Sequence, residues 1–260
     1  MTSDELLIEI NGPIAAIAIN RPERLNALTI DLAKQLLDEF RSLENNENVK
    51  TVVLSGSGER AFSAGGDTKE FSTAPDAAKY IYALTGHLHA LVKAFRGSHI
   101  LTIASIRGAV AGAGMGVCLA TDFRIASEKS IFNLAFINLA LSPDSSSTFF
   151  LPRLVGPSAA AKIALLGERV KAKDAAALGL VHFLVEDAQL ESETQKLAQR
   201  CANAPRLAIK RTKQLLDQSF KSTLSEQLEL ERKYVVECAG TEDFQEGLKA
   251  FLEKRRPKFA

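Results

Sequence analysis

The sequence predicts an α/β core that gives way to a helical final third, and three observations predict it. Short apolar runs of strand length recur through the first part of the chain, and glycine-rich turns follow several of them. Beyond Pro152 the pattern changes to helical spacing almost without interruption. Residues 6–10 and 14–19 flank Asn11-Gly12, a hairpin signal because both turn residues tolerate positive φ. Ile30, Ala33, Leu36, Leu37, Phe40 and Leu43 then follow helical spacing with charges on the opposite face. Residues 51–54 and 100–106 are apolar runs suited to strands buried on both sides. Two further strands are expected over 123–126 and 131–134. Six helices follow, over 158–166, 173–178, 190–203, 207–220, 224–238 and 244–254. Pro205 separates two helices rather than two domains. The expected division is an α/β core over 1–190 and a helical region over 191–260, with no repeat at a fixed residue spacing.

Composition narrows the function classes. The 260 residues are 46% hydrophobic and 24% charged, which excludes disordered, collagenous and disulfide-rich scaffolds. A net charge of +1 lacks the electrostatic footprint of a nucleic-acid binder. Cys118, Cys201 and Cys238 are odd in number and without ligand spacing, so they read as reduced structural thiols in a cytoplasmic protein. The acidic start, Met1 to Glu5, does not read as a signal peptide. The longest run of apolar residues and glycine, 109–120, is shorter than the roughly 18 residues a membrane span needs. No membrane and no nucleic acid is expected as a partner.

Three segments could carry chemistry. Ala61-Phe62-Ser63-Ala64-Gly65-Gly66-Asp67 has adjacent glycines that can aim backbone N–H groups at an anion, or can simply close a tight loop. Gly108 to Gly116 joins a strand to a helix whose first N–H groups and positive dipole end would stabilise an oxyanion. Its glycines fall at alternate positions, unlike a dinucleotide fingerprint, and close helix–sheet packing would use the same residues. Leu141-Ser142-Pro143-Asp144-Ser145-Ser146-Ser147-Thr148 places Asp144 before a helix, where it is either an N-cap or a general base. Its hydroxyls have no G-x-S-x-G setting. His87 and His89, two apart on a helix, diverge and make a poor metal pair. The basic 254–258 tail is a solvated terminus or a phosphate contact.

Taken together, these segments resemble the crotonase, or enoyl-CoA hydratase/isomerase, superfamily. The resemblance is carried by residues 20–28 (Asn-Arg-Pro-Glu-Arg-Leu-Asn-Ala-Leu), 62–67, 108–122, 151–156 and 244–259. It implies a spiral of ββα turns with a helical trimerisation region, so a homotrimer or a dimer of trimers. It also implies an acyl-CoA thioester as substrate, with CoA belonging to the substrate and no separate cofactor or metal. By motif position, the N–H groups of Gly66 and Ala113 would hold the thioester oxygen as an enolate develops. Arg24, Leu25, Ala27 and Ala64 match the CoA cradle, with the Ala64 carbonyl facing the adenine. Gly65, Asp67, Thr68, Gly116, Phe136 and Pro143 complete the expected substrate surroundings.

The departures from the resemblance carry information of their own. A hydratase of this type uses two glutamates to handle water, and this chain has Gly116 and Phe136 in their places. Neither can move a proton. Asp144 matches the aspartate of related double-bond or ring-forming isomerases and the nucleophile of 4-chlorobenzoyl-CoA dehalogenase, whose histidine and aromatic align roughly with His89 and Phe136. The expected activity is therefore double-bond isomerisation with Asp144 as acid/base. A hydratase working through Asp144 alone, a non-catalytic acyl-CoA-binding protein and a dehalogenase-like hydrolase stand as alternatives.

Overall fold

The computed structural model describes residues 5–259, so the first four residues of the acidic start lie outside it. Strands β1 (Leu6–Asn11) and β2 (Ile14–Ile19) form the expected hairpin, with Leu6 opposite Ile19 and Asn11 opposite Ile14. Helix α1 (Ile30–Glu44) is capped by the Thr29 hydroxyl, which accepts from the Leu32 N–H, and it buries Leu32, Ala33, Leu36, Leu37, Phe40 and Leu43. These are the apolar positions of its helical spacing, apart from a half-buried Ile30.

The remaining strands come in pairs. β3 (Thr51–Gly56) is followed by β4 (Ala61–Ser63) and by helices α2 (Thr68–Thr73) and α3 (Ala77–Gly97). β5 (Leu101–Ile106) is followed by β6 (Ala109–Ala111) and α4 (Gly112–Ala120). β7 (Phe123–Ser127) is followed by β8 (Ile131–Asn133) and α5 (Ser147–Leu166). The first strand of each pair joins a sheet ordered β1-β2-β3-β5-β7 and closed by β10 (Phe183–Val185), parallel from β2 onward. The second joins another sheet ordered β4-β6-β8, which β9 (Val170–Lys171) completes. This is a spiral of ββα turns. Its repeat escapes a search at fixed spacing because the helical insert after β4 is much longer than that after β6.

Helices α6 (Ala172–Ala177), α7 (Leu190–Ala202), α8 (Arg206–Gln218), α9 (Leu224–Ala239) and α10 (Glu242–Leu252) end the chain. Leu190, Ala198, Cys201 and Ala202 of α7 pack with Ile14, Val53, Ile103 and Ile125 on the outer face of the large sheet. α7 is thus part of the core, and the helical extension begins at α8, after the Pro205 break. α8 is pinned by Lys213, which donates to the Phe95 and Ile100 carbonyls at 2.6 and 3.1 Å and to Asp122 Oδ2 at 2.9 Å. The apolar stretch Ser147–Leu166 matches a membrane span in length and mean hydropathy, but Gly156 (φ 77°, ψ 162°) breaks it into two helices, each too short to cross. Arg255 of the basic tail pairs with Glu246 and Glu253, which ties the tail to α10.

Candidate active site

Two segments distant in sequence are zipped together at the edge of the small sheet. The Ala64 N–H donates to the Leu25 carbonyl (2.9 Å), Leu28 N–H to the Gly65 carbonyl (2.7 Å) and Asp67 N–H to the Leu28 carbonyl (2.9 Å). Ser63 Oγ donates to the Asn26 carbonyl. Asn26, fully buried, donates to the Ser57 and Ala61 carbonyls and accepts from the Arg21 N–H. Leu25 and Asn26 both lie in the left-handed region (φ 53° and 55°), so this turn is held by its bonds rather than by preference. The Gly66 N–H, flanked by two backbone groups in use, donates to no acceptor among the described residues.

The second glycine segment lies directly against the first. Gly65 has φ 90°, and a Cβ there would stand 2.9 Å from the Ala111 carbonyl oxygen and 3.0 Å from the Ala113 nitrogen, so only glycine allows the approach. Ala113 is the second residue of α4, where the N–H has no intrahelical acceptor and the helix dipole is positive. Gly66 and Ala113 therefore line one cavity with two uncommitted N–H groups.

That cavity, of about 80 Å³, is bounded by Ala64, Gly66 and Thr68, by Phe71 of α2, by Ile81 and Leu84 of α3, and by Gly112 and Ala113. Leu134 to Phe136, Leu139, Leu141 and Asp144 close it on the far side. Phe136 is buried and makes this wall apolar. Asp144 is the one acidic side chain in the lining. Burial pushes its carboxyl above the ordinary carboxylate range, while the Ser145 hydroxyl and the His89 ring act in the opposite direction. His89 is exposed on α3 and outside the lining, yet close enough to be felt. The N-cap reading of Asp144 fails: α5 starts at Ser147 after Ser146, and Asp144 Oδ1 is buried with no hydrogen-bond partner.

Several expected site residues have other work. The Asp67 carboxylate accepts from the Lys69 N–H, capping α2, and pairs with Arg21 Nη2 at 3.1 Å, so it turns away from the cavity. Gly116 lies under the turn that follows Asp144. A Cβ on it would collide with the Ser145 carbonyl oxygen and stand 2.8 Å from Ser145 Cβ and 2.9 Å from Ser147 Oγ. It is a packing glycine, with no face on the cavity. Pro143 is half-buried beside Asp144 but outside the lining, as is Gly65, whose glycine brings Ala113 close. Arg24 is exposed, and the Ala27 carbonyl accepts from Arg21 Nη1 at 2.7 Å. Phe71, Ile81, Leu84 and Leu139 were not singled out in the sequence, because apolar helical residues look the same whether they face a core or a ligand. A larger apolar groove of about 470 Å³ between α8, α9 and α10 shares no residue with this cavity.

A ββα spiral here presents two uncommitted N–H groups and one carboxylate to an apolar cavity, an arrangement that can accommodate a carbonyl beside an acidic side chain. The family model "Enoyl-CoA hydratase/isomerase" matches residues 9–260, and the chain belongs to that family. It is 31% identical over 261 residues to the trans-2-decenoyl-[acyl-carrier-protein] isomerase of Streptococcus mutans, covering 100% of this chain and 99% of that one. Identity to the 1,2-epoxyphenylacetyl-CoA isomerase of Escherichia coli is 32% over 256 residues, covering 98% and 97%. The short-chain-enoyl-CoA hydratase of Clostridium acetobutylicum is 30% identical over 259 residues, covering 98% and 97%. The crystal structure of an enoyl-CoA hydratase from Bacillus anthracis superposes with a TM-score of 0.93 at 29% identity, covering 98% of this chain and 99% of that one. Isomerases and hydratases stand equally near, so names do not decide the reaction.

Proposed function

We propose that the protein isomerises the double bond of an unsaturated acyl-CoA, with Asp144 as the only proton carrier. The observation that carries this reading is the fate of the two positions where a hydratase of this kind would place carboxylates. Gly116 is sealed beneath Ser145 and Ser147, and Phe136 is an apolar wall. Nothing remains to activate and deliver water by a two-carboxylate route.

The thioester oxygen of a 3-enoyl-CoA would accept from the Gly66 and Ala113 N–H groups. The Asp144 carboxylate removes a proton from C2; the electron pair of that C–H bond forms C1=C2 as the carbonyl pair moves onto the thioester oxygen. On collapse that oxygen pair re-forms the carbonyl, the C1=C2 pair becomes C2=C3 and the C3=C4 pair takes the proton at C4. Charge passes through the dienolate, whose oxygen the two N–H groups hold, and Asp144 returns the proton at C4 to give the 2-enoyl thioester. One base reaching both carbons from one face completes the cycle. Donors preset for an enolate oxygen are worth about 10²–10³ in rate when removed from other enzymes. The raised carboxyl of Asp144 is closer in basicity to what a carbon acid requires. CoA enters as part of the substrate past Arg24, Leu25 and Ala64, which remain accessible beside the buried Ala27.

The assembly proposed is a homotrimer or a dimer of trimers. Leu224 and Leu228 of α9 are 76% and 53% exposed in the single chain, and Val235, Val236, Phe251 and Leu252 continue the apolar surface. The test of the reaction is Asp144→Asn. It should abolish isomerisation of a 3-enoyl-CoA while acyl-CoA affinity, measured by calorimetry, stays within a few-fold, because the backbone donors are untouched. An asparagine variant that isomerises at the wild-type rate would sink the assignment.

A further inference from the structure

The turn that delivers Asp144 holds three buried polar atoms without hydrogen-bond partners, namely Asp144 Oδ1, Ser145 Oγ and Ser147 Oγ. Ser145 and Ser147 are both fully buried. Buried polar groups are nearly always paired, so three orphans within four residues mark a place where the resting arrangement is incomplete. Their chemistry is complementary: an ionised carboxylate only accepts, and serine hydroxyls donate. The backbone here is also costly, since Ser145 and Ser146 sit consecutively in the left-handed region at φ 49° and 70°. The turn is nevertheless locked, by the Ser147 N–H on the Asp144 carbonyl (2.9 Å) and by Ser146 Oγ on the Gly116 carbonyl (3.3 Å). Gly116 provides the space, because any side chain there would displace Ser145 and Ser147.

We infer that Ser145, backed by Ser147, is a positioning residue for Asp144: its hydroxyl is the donor that orients Oδ1 and leaves Oδ2 to face the bound acyl chain. The inference rests on the isomerase reading for the role of Asp144. The Ser145 hydroxyl is close enough to favour the ionised form of Asp144 against the effect of burial, although it is not aligned in a hydrogen bond in the resting turn. Among the described residues, the one charged or titratable group acting on Asp144 from another element is His89 on α3; the cavity walls from α2, α3 and the 134–141 segment contribute apolar side chains and, from α2, Thr68. The hydroxyl that acts on this carboxylate belongs to its own turn, at Ser145.

The test is a carboxyl-¹³C NMR titration of the full-length protein, with the Asp144 signal assigned by its loss in Asp144→Asn. Ser145→Ala should move the Asp144 titration upward by about one pH unit, the size expected for losing one O–H to a charged acceptor. The acid limb of kcat for isomerisation should move with it while KM changes little. Ser145→Gly removes the same hydroxyl and suits the left-handed backbone, so the test is decidable even if the alanine variant does not fold. Asp144 titrating at its wild-type pH in these variants would overturn the inference. The titration needs no turnover, so a wild type that fails to isomerise refutes the proposed reaction and leaves the positioning result standing or falling separately.

Discussion

Restoring a glutamate at position 116 is the change most tempting to anyone wishing to turn this chain into a hydratase, and the structure predicts that it fails. The β-carbon alone collides with the Ser145 carbonyl oxygen, which is backbone and cannot swing away, and it stands 2.8 Å from Ser145 Cβ and 2.9 Å from Ser147 Oγ. Overpacking of a core typically costs about 1–3 kcal/mol, and the upper end applies when backbone must move. For a chain of this size each kcal/mol lowers Tm by about 2–4 °C, so Gly116→Ala should melt about 6–12 °C below wild type. Gly116→Glu adds an ionisable group with no partner beneath the turn and should melt lower still. Both variants should lose isomerisation, because the displaced turn carries Asp144 with it, and Gly116→Glu should gain no hydration of crotonyl-CoA. Calorimetric melts with paired activity assays check this. A Gly116→Glu protein with the wild-type Tm and new hydratase activity would refute the packing argument and the functional reading built on it.

The Asp144 carboxyl is raised by burial above its unfolded value, so its favourable contribution is complete below the unfolded pKa and is lost as pH rises through the folded one. Asp144→Asn should therefore have a higher Tm than wild type at pH 7, with the difference vanishing below about pH 4; an unchanged or lower Tm at pH 7 would contradict it. Lys213 is 5% exposed and its ammonium is divided among two carbonyls and Asp122. Lys213→Ala leaves the Asp122 carboxylate, Phe95 and Ile100 carbonyls without it and should cost about 3–5 kcal/mol in denaturant unfolding. Light scattering at micromolar concentration should give three or six times the 28.1 kDa chain mass, and a monomer mass would end the trimer proposal.

Much of the fold was legible because its elements are amphipathic in the ordinary way. The Asn11-Gly12 hairpin, α1 and the central strands follow directly from residue spacing. Of the small sheet, β8 was expected over 131–134, but β4, β6 and β9 were not, since they are two or three residues long and carry too little pattern to detect. In the site, the paired glycine segments showed themselves through composition, because close backbone approach requires small residues. Position 116 was read as substrate surroundings and is instead the floor beneath Ser145 and Ser147; sequence order alone cannot tell a missing side chain from a filled space. Asp67 was expected among the substrate surroundings from the resemblance, and only its contacts with Arg21 and the Lys69 N–H show that its role is structural. The serines after Asp144 were read in the sequence only as lacking a hydrolase motif; their interest lies in burial without partners, a property of three dimensions only.

The most direct test of the account compares two rates on one preparation of the wild-type protein. Isomerisation of a 3-enoyl-CoA to its 2-enoyl isomer and hydration of crotonyl-CoA would be followed under the same conditions, across a panel of acyl lengths. The account predicts that isomerisation of at least one 3-enoyl-CoA exceeds hydration, since Gly66 and Ala113 keep the enolate site while Gly116 and Phe136 leave no second water-handling carboxylate. Hydration of crotonyl-CoA faster than isomerisation of every 3-enoyl-CoA tested would contradict it.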